Sequence, residues 1–108
     1  MRAVFLAGAE GDLKDLRRYV IQRFGMPTWQ ETLNAIRDSV RTIQTLPLGG
    51  SIPEELADLG LQQYRQAISG MNRIIYELRD DVIYIHIVCD TRRDMCTLLS
   101  RRLLRMLP

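Results

Sequence analysis

The fold is decided by residues 72–89, NRIIYELRDDVIYIHIVC, where two apolar runs flank an acidic pair at Asp80 and Asp81. Each run is rich in β-branched and aromatic residues, which favour strands, and an acidic pair between such runs is typical of a tight turn. We therefore predict antiparallel strands at Asn72–Arg79 and at residues 82–89. A similar run at residues 62–69 predicts a third strand and completes a meander.

Alternation along these strands predicts a sheet with two unlike faces. Ile83, Ile85 and Ile87 fall on one side of the last strand, so that side is expected to be dry and to receive a layer of helices. The opposite face is mixed, and it brings four polar side chains within reach of one another: Arg73, Glu77, Tyr84 and His86. The sheet is therefore expected to have one dry face and one mixed face.

A helical hairpin is predicted between a first short strand at residues 2–6 and the meander. Its first helix has an apolar stripe at helical spacing, which consists of Leu13, Leu16, Val20 and Phe24. Gly8 and Gly11 are expected to loosen the chain before this helix. The second helix is expected to begin with a capping box of Thr28 and Glu31, and about three residues would join the two helices. Since an isolated hairpin leaves its apolar stripes exposed, we expect it to pack on the dry face of the sheet.

The composition indicates one small domain rather than a membrane, secreted or disordered protein. The 108 residues are 46% apolar, which is sufficient for a core at this length, and a single domain is expected over residues 1–108. No apolar run is long enough to cross a bilayer, and the N-terminus lacks the apolar core of a signal peptide, so we expect a cytoplasmic protein without a membrane partner. Cys89 and Cys96 have no histidine or acidic partner at metal-ligand spacing, and we expect reduced thiols, no metal and no cofactor.

The basic charge is concentrated at the C-terminal end. The chain has 15 basic and 13 acidic residues, and its net charge of +2 is too small to indicate nucleic-acid binding by itself. Residues 92–108, however, hold five arginines and one acidic residue, Asp94. Leucines alternate with arginines over residues 95–106, which predicts a basic amphipathic terminal helix.

The order of these elements resembles that of the RelE/ParE superfamily, the toxins of type II toxin–antitoxin modules. The resemblance spans nearly the whole chain and rests on Tyr64-Arg65, on residues 73–76 and on residues 85–93. Residues 87–95, IVCDTRRDM, and the helix after them are most similar to the ParE branch, although Asp90 stands where that branch often has a histidine. The fold implied is α+β, with a helical hairpin packed on a mainly antiparallel sheet and a basic C-terminal helix.

The resemblance implies a growth-arresting toxin that a cognate antitoxin neutralises by wrapping a helix and an extended segment around it. ParE-like members poison DNA gyrase by binding rather than through an active site of their own, and they meet operator DNA only through the antitoxin. On this interpretation the target-binding surface is the terminal turn and helix, with the basic side chains Arg92, Arg93, Arg101 and Arg102.

The alternative implied by the resemblance is a RelE-like endoribonuclease that cleaves mRNA on the ribosome. Such an enzyme needs cations for the scissile phosphate and a general base for the 2′-OH, and the candidates are Arg65, Arg73 and His86. Two expected residues are missing, since Ala67 occupies the second basic position and no tyrosine occurs among residues 95–108.

Each nuclease candidate also has a purely structural interpretation. The two arginines can form ion pairs with Glu77 or with a loop carboxylate such as Glu55, and His86 can be a hydrogen-bonded histidine on a half-covered strand. A third interpretation of the whole chain is a member that has lost toxicity and only binds its antitoxin. The sequence leaves these interpretations open.

Overall fold

The computed structural model describes residues 1–91 and 94–105 and confirms the predicted α+β class. Its elements, in chain order, are β1 (Arg2–Phe5), α1 (Ala7–Phe24), α2 (Met26–Thr45), α3 (Glu54–Ala57), β2 (Tyr64–Ser69), β3 (Asn72–Arg79), β4 (Val82–Asp90) and α4 (Met95–Arg105). The four strands form one open sheet, which has apolar layers on both of its faces. Of the helices described, none is long and apolar enough to cross a membrane.

The sheet has the strand order β1-β4-β3-β2. The meander of β2, β3 and β4 is antiparallel as predicted, and β1 joins it as a parallel neighbour of β4. A parallel neighbour requires the chain to cross over between the two strands, and the helical hairpin lies in that crossover. The turn between β3 and β4 is formed by Asp80 and Asp81, whose φ angles of 52° and 63° are typical of a tight hairpin turn.

A β-bulge in β4 changes which of its side chains face the hairpin. Ile75 pairs with Ile87, and Tyr76 pairs with Ile85, so His86 is the extra residue. Because one extra residue inverts the alternation beyond it, Ile85 packs in the layer under the hairpin whereas Ile87 packs in the layer on the other face. The prediction that the three isoleucines of β4 share one face is therefore wrong at Ile87.

The α1–α2 hairpin packs on the predicted dry face of the sheet. The buried side chains between them are Ala9, Ile36, Val40, Ile43, Ile74, Tyr76, Ile83, Ile85 and Val88. Gly25 alone joins the two helices, with a φ of 91° that glycine adopts without strain, so the connection is shorter than predicted. The predicted capping box is wrong, because α2 begins at Met26 and the hydroxyl of Thr28 donates instead to the carbonyl oxygen of Phe24 at 3.4 Å.

The start of α1 also differs from the prediction. The helix begins at Ala7, two residues after β1 ends, and the amide of Leu6 still donates to the carbonyl of Ile85 at 3.0 Å. Gly8 and Gly11 therefore lie inside the helix and do not loosen the chain before it. Glycine lowers the stability of a helix by about 1 kcal/mol relative to alanine. A glycine at position 8 is therefore explained only if a neighbouring group leaves no room for a side chain.

The other face of the sheet is covered by α3 and α4. Leu56 of α3 and Leu99 of α4 are buried against Tyr64, Ile75 and Ile87. The terminal helix is therefore packed on the domain through its leucine side, as expected for an amphipathic helix.

Candidate functional site

The bulge residue His86 lies in a closed polar cluster on the α4 side of the sheet. Its Nε2 is 3.1 Å from Oε1 of Glu77, and its ring meets that of Tyr64 edge-on with the centroids 5.2 Å apart. Burial lowers the pKa of His86 below its ordinary value of 6.5, against the opposing effect of Glu77, so the ring is neutral at pH 7. Only 3% of the residue is exposed, which places the ring out of reach of a polymeric substrate.

The two arginines of the nuclease interpretation lie on opposite faces of the sheet. Arg65 is the cross-strand neighbour of Tyr76 on the hairpin face, and it donates to the carbonyl oxygens of Leu48 at 3.2 Å and Gly50 at 2.8 Å. Arg73 and His86 belong to the other face. The structure therefore does not bring the three candidates together. Within residues 1–91 and 94–105 there is also no group of three His, Cys, Asp or Glu residues that could hold a metal ion.

Arg73 is engaged in a network that ties α3 to the sheet. Its Nη2 lies 2.5 Å from Oε1 of Glu55, and its Nε donates to Oε1 of Gln66 at 3.0 Å. Burial is the largest single influence on the pKa of Glu55 and would raise it, but the hydrogen bond and the charge of Arg73, together with a backbone hydrogen bond, hold that pKa below the ordinary 4.5. The carboxylate therefore stays ionised, and the structural interpretation that pairs Arg73 with Glu55 is confirmed, although Glu55 lies in α3 rather than in a loop.

The arginines predicted to bind a target differ in their surroundings. Arg92 and Arg93 lie outside the described residues. Arg101 is exposed on α4. The side chain of Arg102 is only 15% exposed: its Nη1 donates to the carbonyl oxygen of His86 at 2.9 Å, and its Nη2 pairs with the carboxylate of Asp12. Of the two arginines described, Arg101 is the one presented to an outside partner.

Two residues of α1, Asp12 and Gly8, surround Arg102, and sequence reasoning assigned neither of them to a functional site. The carboxylate of Asp12 also accepts the backbone N–H of Val88 at 3.0 Å. A Cβ at Gly8 would lie 2.6 Å from Nη1 of Arg102, so the guanidinium can occupy its observed place only while this position has no side chain. Asp12 and Gly8 are one helical turn apart, so the sequence predicts that they share a side of α1. It does not reveal that this side faces Arg102.

Arg101 lies at the edge of a groove of about 660 Å³ between α1 and α4. A second groove of about 440 Å³ lies between α1, α2 and the turn from β2 to β3. The two grooves share four lining residues: Leu16, Tyr19, Asn72 and Asp90. They are therefore parts of one depression along α1, which we call the α1 groove.

Large apolar side chains border the α1 groove. Tyr19, Phe24 and Met71 are 51%, 62% and 62% exposed. The rings of Tyr19 and Phe24 meet edge-on with their centroids 6.5 Å apart, and the guanidinium of Arg23 lies 5.3 Å from the ring centroid of Tyr19. Neighbouring exposed apolar residues beside a groove are typical of a protein-binding surface.

Comparison with known proteins identifies the family. The family model of the ParE toxin of the type II toxin–antitoxin system parDE matches residues 4–95, which include the whole meander and the hairpin. The chain belongs to the ParE toxin family. This confirms the resemblance drawn from the sequence, and within it the ParE branch rather than the RelE branch.

The fold of this ParE-family toxin is shared with a solved structure, the chromosomal ParDE TA system from P. aeruginosa. The TM-score is 0.70 at 15% sequence identity, and the match covers 83% of this chain and 95% of that chain. At this identity the likeness establishes the common fold. No curated protein matches the chain.

Proposed function

We propose that this ParE-family toxin arrests growth by binding DNA gyrase through α4 and the adjoining part of the α1 groove. The observation that carries the proposal is the position of Arg101, which is exposed on α4 and lines the groove. By contrast, Arg65, Arg73 and His86 are taken up by internal contacts on two sides of the sheet. A ribonuclease needs such groups to converge on one phosphate, whereas a binding toxin needs only a presented surface.

The chemistry of this end of the molecule suits an acidic partner. The guanidinium of Arg101 is a planar donor of several N–H groups, which bind carboxylate or phosphate oxygens in pairs. Arg92 and Arg93 precede α4 in the sequence and add two charges of the same sign. A complex of gyrase with DNA offers both carboxylates and phosphates, and it acts in the cytoplasm, where we expect this toxin to act.

The apolar border of the α1 groove is the proposed binding site of the cognate antitoxin. Tyr19, Phe24 and Met71 would bury the apolar side of an antitoxin helix, which is a common way for a groove to recognise an amphipathic segment. Since the same groove extends to Arg101, an antitoxin bound there would also cover the side that faces the target. Neutralisation follows from that overlap.

The test is inducible expression of the chain in bacteria, with DNA and message followed in parallel. Gyrase-linked DNA breaks and an SOS response, with intact mRNA, are the expected result. Rapid mRNA cleavage that is lost in Arg73→Ala or His86→Ala would contradict the proposal and support the ribonuclease. The absence of any growth defect would instead indicate a member that retains only antitoxin binding.

A further inference from the structure

The edge of β4 beyond its partner β1 is closed by side chains. β1 ends at Phe5, which pairs with Ile85, whereas β4 continues to Asp90. Beyond Ile85 none of the described strands runs along this side of β4. Two backbone groups of this stretch are satisfied instead by Asp12 of α1, which accepts the N–H of Val88, and by Arg102 of α4, which donates to the carbonyl of His86. A buried backbone group left unpaired would be costly, so both contacts contribute to the fold.

The same two side chains bind each other. Nη2 of Arg102 pairs with Oδ1 of Asp12 while Oδ2 of Asp12 is occupied by Val88, and each side chain is 15% exposed. An ionised carboxylate with two oxygens and a guanidinium with several N–H groups suit this arrangement, because each can serve two partners at once. We call this set of contacts the clasp.

The absence of a side chain at Gly8 leaves space on α1 for the guanidinium of Arg102. A Cβ at this position would meet Nη1 of Arg102 at 2.6 Å and its Cδ at 2.9 Å, so the side chain would have to move. The glycine within α1 therefore has a packing reason, which is the close approach of Arg102 to the helix backbone.

The clasp determines which side chains α4 presents. Burial of Leu99 holds α4 against the sheet, but apolar contact is not directional and tolerates rotation of a helix about its axis. Hydrogen bonds are directional, and successive residues of a helix are about 100° apart, so a fixed Arg102 also fixes the direction of Arg101. We propose that Asp12 and Arg102 are positioning residues that hold α4 against β4 and thereby present Arg101 at the α1 groove. The importance of that presentation for the target rests on the proposed function.

The first test is amide hydrogen exchange of Asp12→Asn. Asparagine keeps an oxygen that can accept from Val88 but has no charge for Arg102, so the contact with β4 is preserved while the pairing with α4 is weakened. We expect exchange in α4 to accelerate by about tenfold, with exchange in β3 within about twofold of the wild type. Asp38→Asn is the matched control, because it removes the partner of Arg41 in an exposed pair on α2 with an N–O distance of 3.0 Å.

Gly8→Ala provides a second test that leaves the charges in place. The added methyl group displaces Arg102 while Asp12 and Arg101 are unchanged. Amide exchange in α4 should again be about tenfold faster than in the wild type, with exchange in β3 nearly unchanged. Unaltered α4 exchange in both variants would overturn the clasp. Faster exchange in β3 and α4 together would contradict a local role, since it reports global unfolding.

Binding to purified gyrase separates the clasp from the proposed function. We expect Gly8→Ala to bind about tenfold more weakly than the wild type, with Asp38→Asn unchanged. Faster α4 exchange with unaltered gyrase affinity would overturn the positioning role. If the wild-type chain itself does not bind gyrase, the proposed function fails, and the exchange measurements still decide whether the clasp holds α4.

Discussion

His86 and Glu77 face each other across the bulge, with Nε2 of the imidazole 3.1 Å from Oε1 of the carboxylate, and both side chains are nearly closed to solvent. The bulge creates this relationship, because the extra residue inserts the imidazole among side chains of the α4 face. The pair stabilises the junction of β3 and β4. It does not provide an accessible general base.

The first prediction concerns the pH dependence of stability. The pKa of His86 is lowered in the folded protein, so between that value and 6.5 the unfolded chain binds more protons than the folded one. Stability should therefore be complete above about pH 6.5 and fall as the pH decreases, by at most about 1.4 kcal/mol per pH unit for this one group. Urea unfolding between pH 8 and pH 5 measures the effect, and His86→Gln should flatten the curve over this range. Parallel curves for the two proteins would contradict the assignment.

The second prediction concerns Arg73. Its replacement by alanine leaves the half-buried Glu55 without its arginine partner, and we expect the free energy of unfolding to fall by about 1–3 kcal/mol. Chemical denaturation measures this change. Toxicity per folded molecule should be unaltered, because the side chain serves the fold. A loss of toxicity in a variant that remains fully folded would restore Arg73 as a functional residue.

The third prediction concerns target binding. Arg101→Ala should weaken gyrase inhibition by about tenfold in a supercoiling assay, with little change in the thermal midpoint, since the side chain is exposed. Arg41→Ala is the control, because Arg41 is an exposed arginine on α2, 74% accessible. The difference in gyrase inhibition between the wild type and Arg101→Ala should decrease at high salt, because salt screens the charge of an exposed arginine. Equal effects of the two substitutions would indicate nonspecific attraction by charge.

The fourth prediction concerns the antitoxin. Phe24→Asp places a charge in the apolar border of the α1 groove, and we expect antitoxin affinity to fall by about tenfold or more when measured by calorimetry. Leu46→Asp is a control at the far end of α2, where an apolar residue is exposed to nearly the same extent, 63% against 62% for Phe24. If both variants bind the antitoxin as the wild type does, the groove is not its site.

The secondary structure was largely predictable because helical spacing and strand alternation are local properties. The strand over Asn72–Arg79 has the predicted bounds, and β2 and β4 differ from the predictions by two residues or fewer. The errors occur where a neighbouring turn or a contact distant in sequence changes the outcome of a local pattern. Thr28 has the pattern of a cap, yet Gly25 already turns the chain, and Gly8 lies within α1, where Arg102 passes close to its backbone.

The candidate site was predictable only in part, because the sequence shows residue types but not which face or partner each acquires. The pattern of arginines at the C-terminal end marks a basic helix, and Arg101 and Arg102 are equivalent in that pattern. They differ in the structure because one is exposed and the other is paired with Asp12, 90 positions earlier in the chain.

The sequence by itself determined the α+β class and the element order, since both depend on spacings of a few residues, and its motifs carried the resemblance to the ParE family that the family model confirms. The tertiary structure decided on which face of the sheet Ile87 packs, that His86 is buried, and that Arg102 is paired with Asp12. The physical reason is a single extra residue in β4: a bulge inverts the alternation of side chains and changes which backbone groups the strand leaves for other partners. Asp12 and Arg102 satisfy two of those groups, and only the folded chain brings them together.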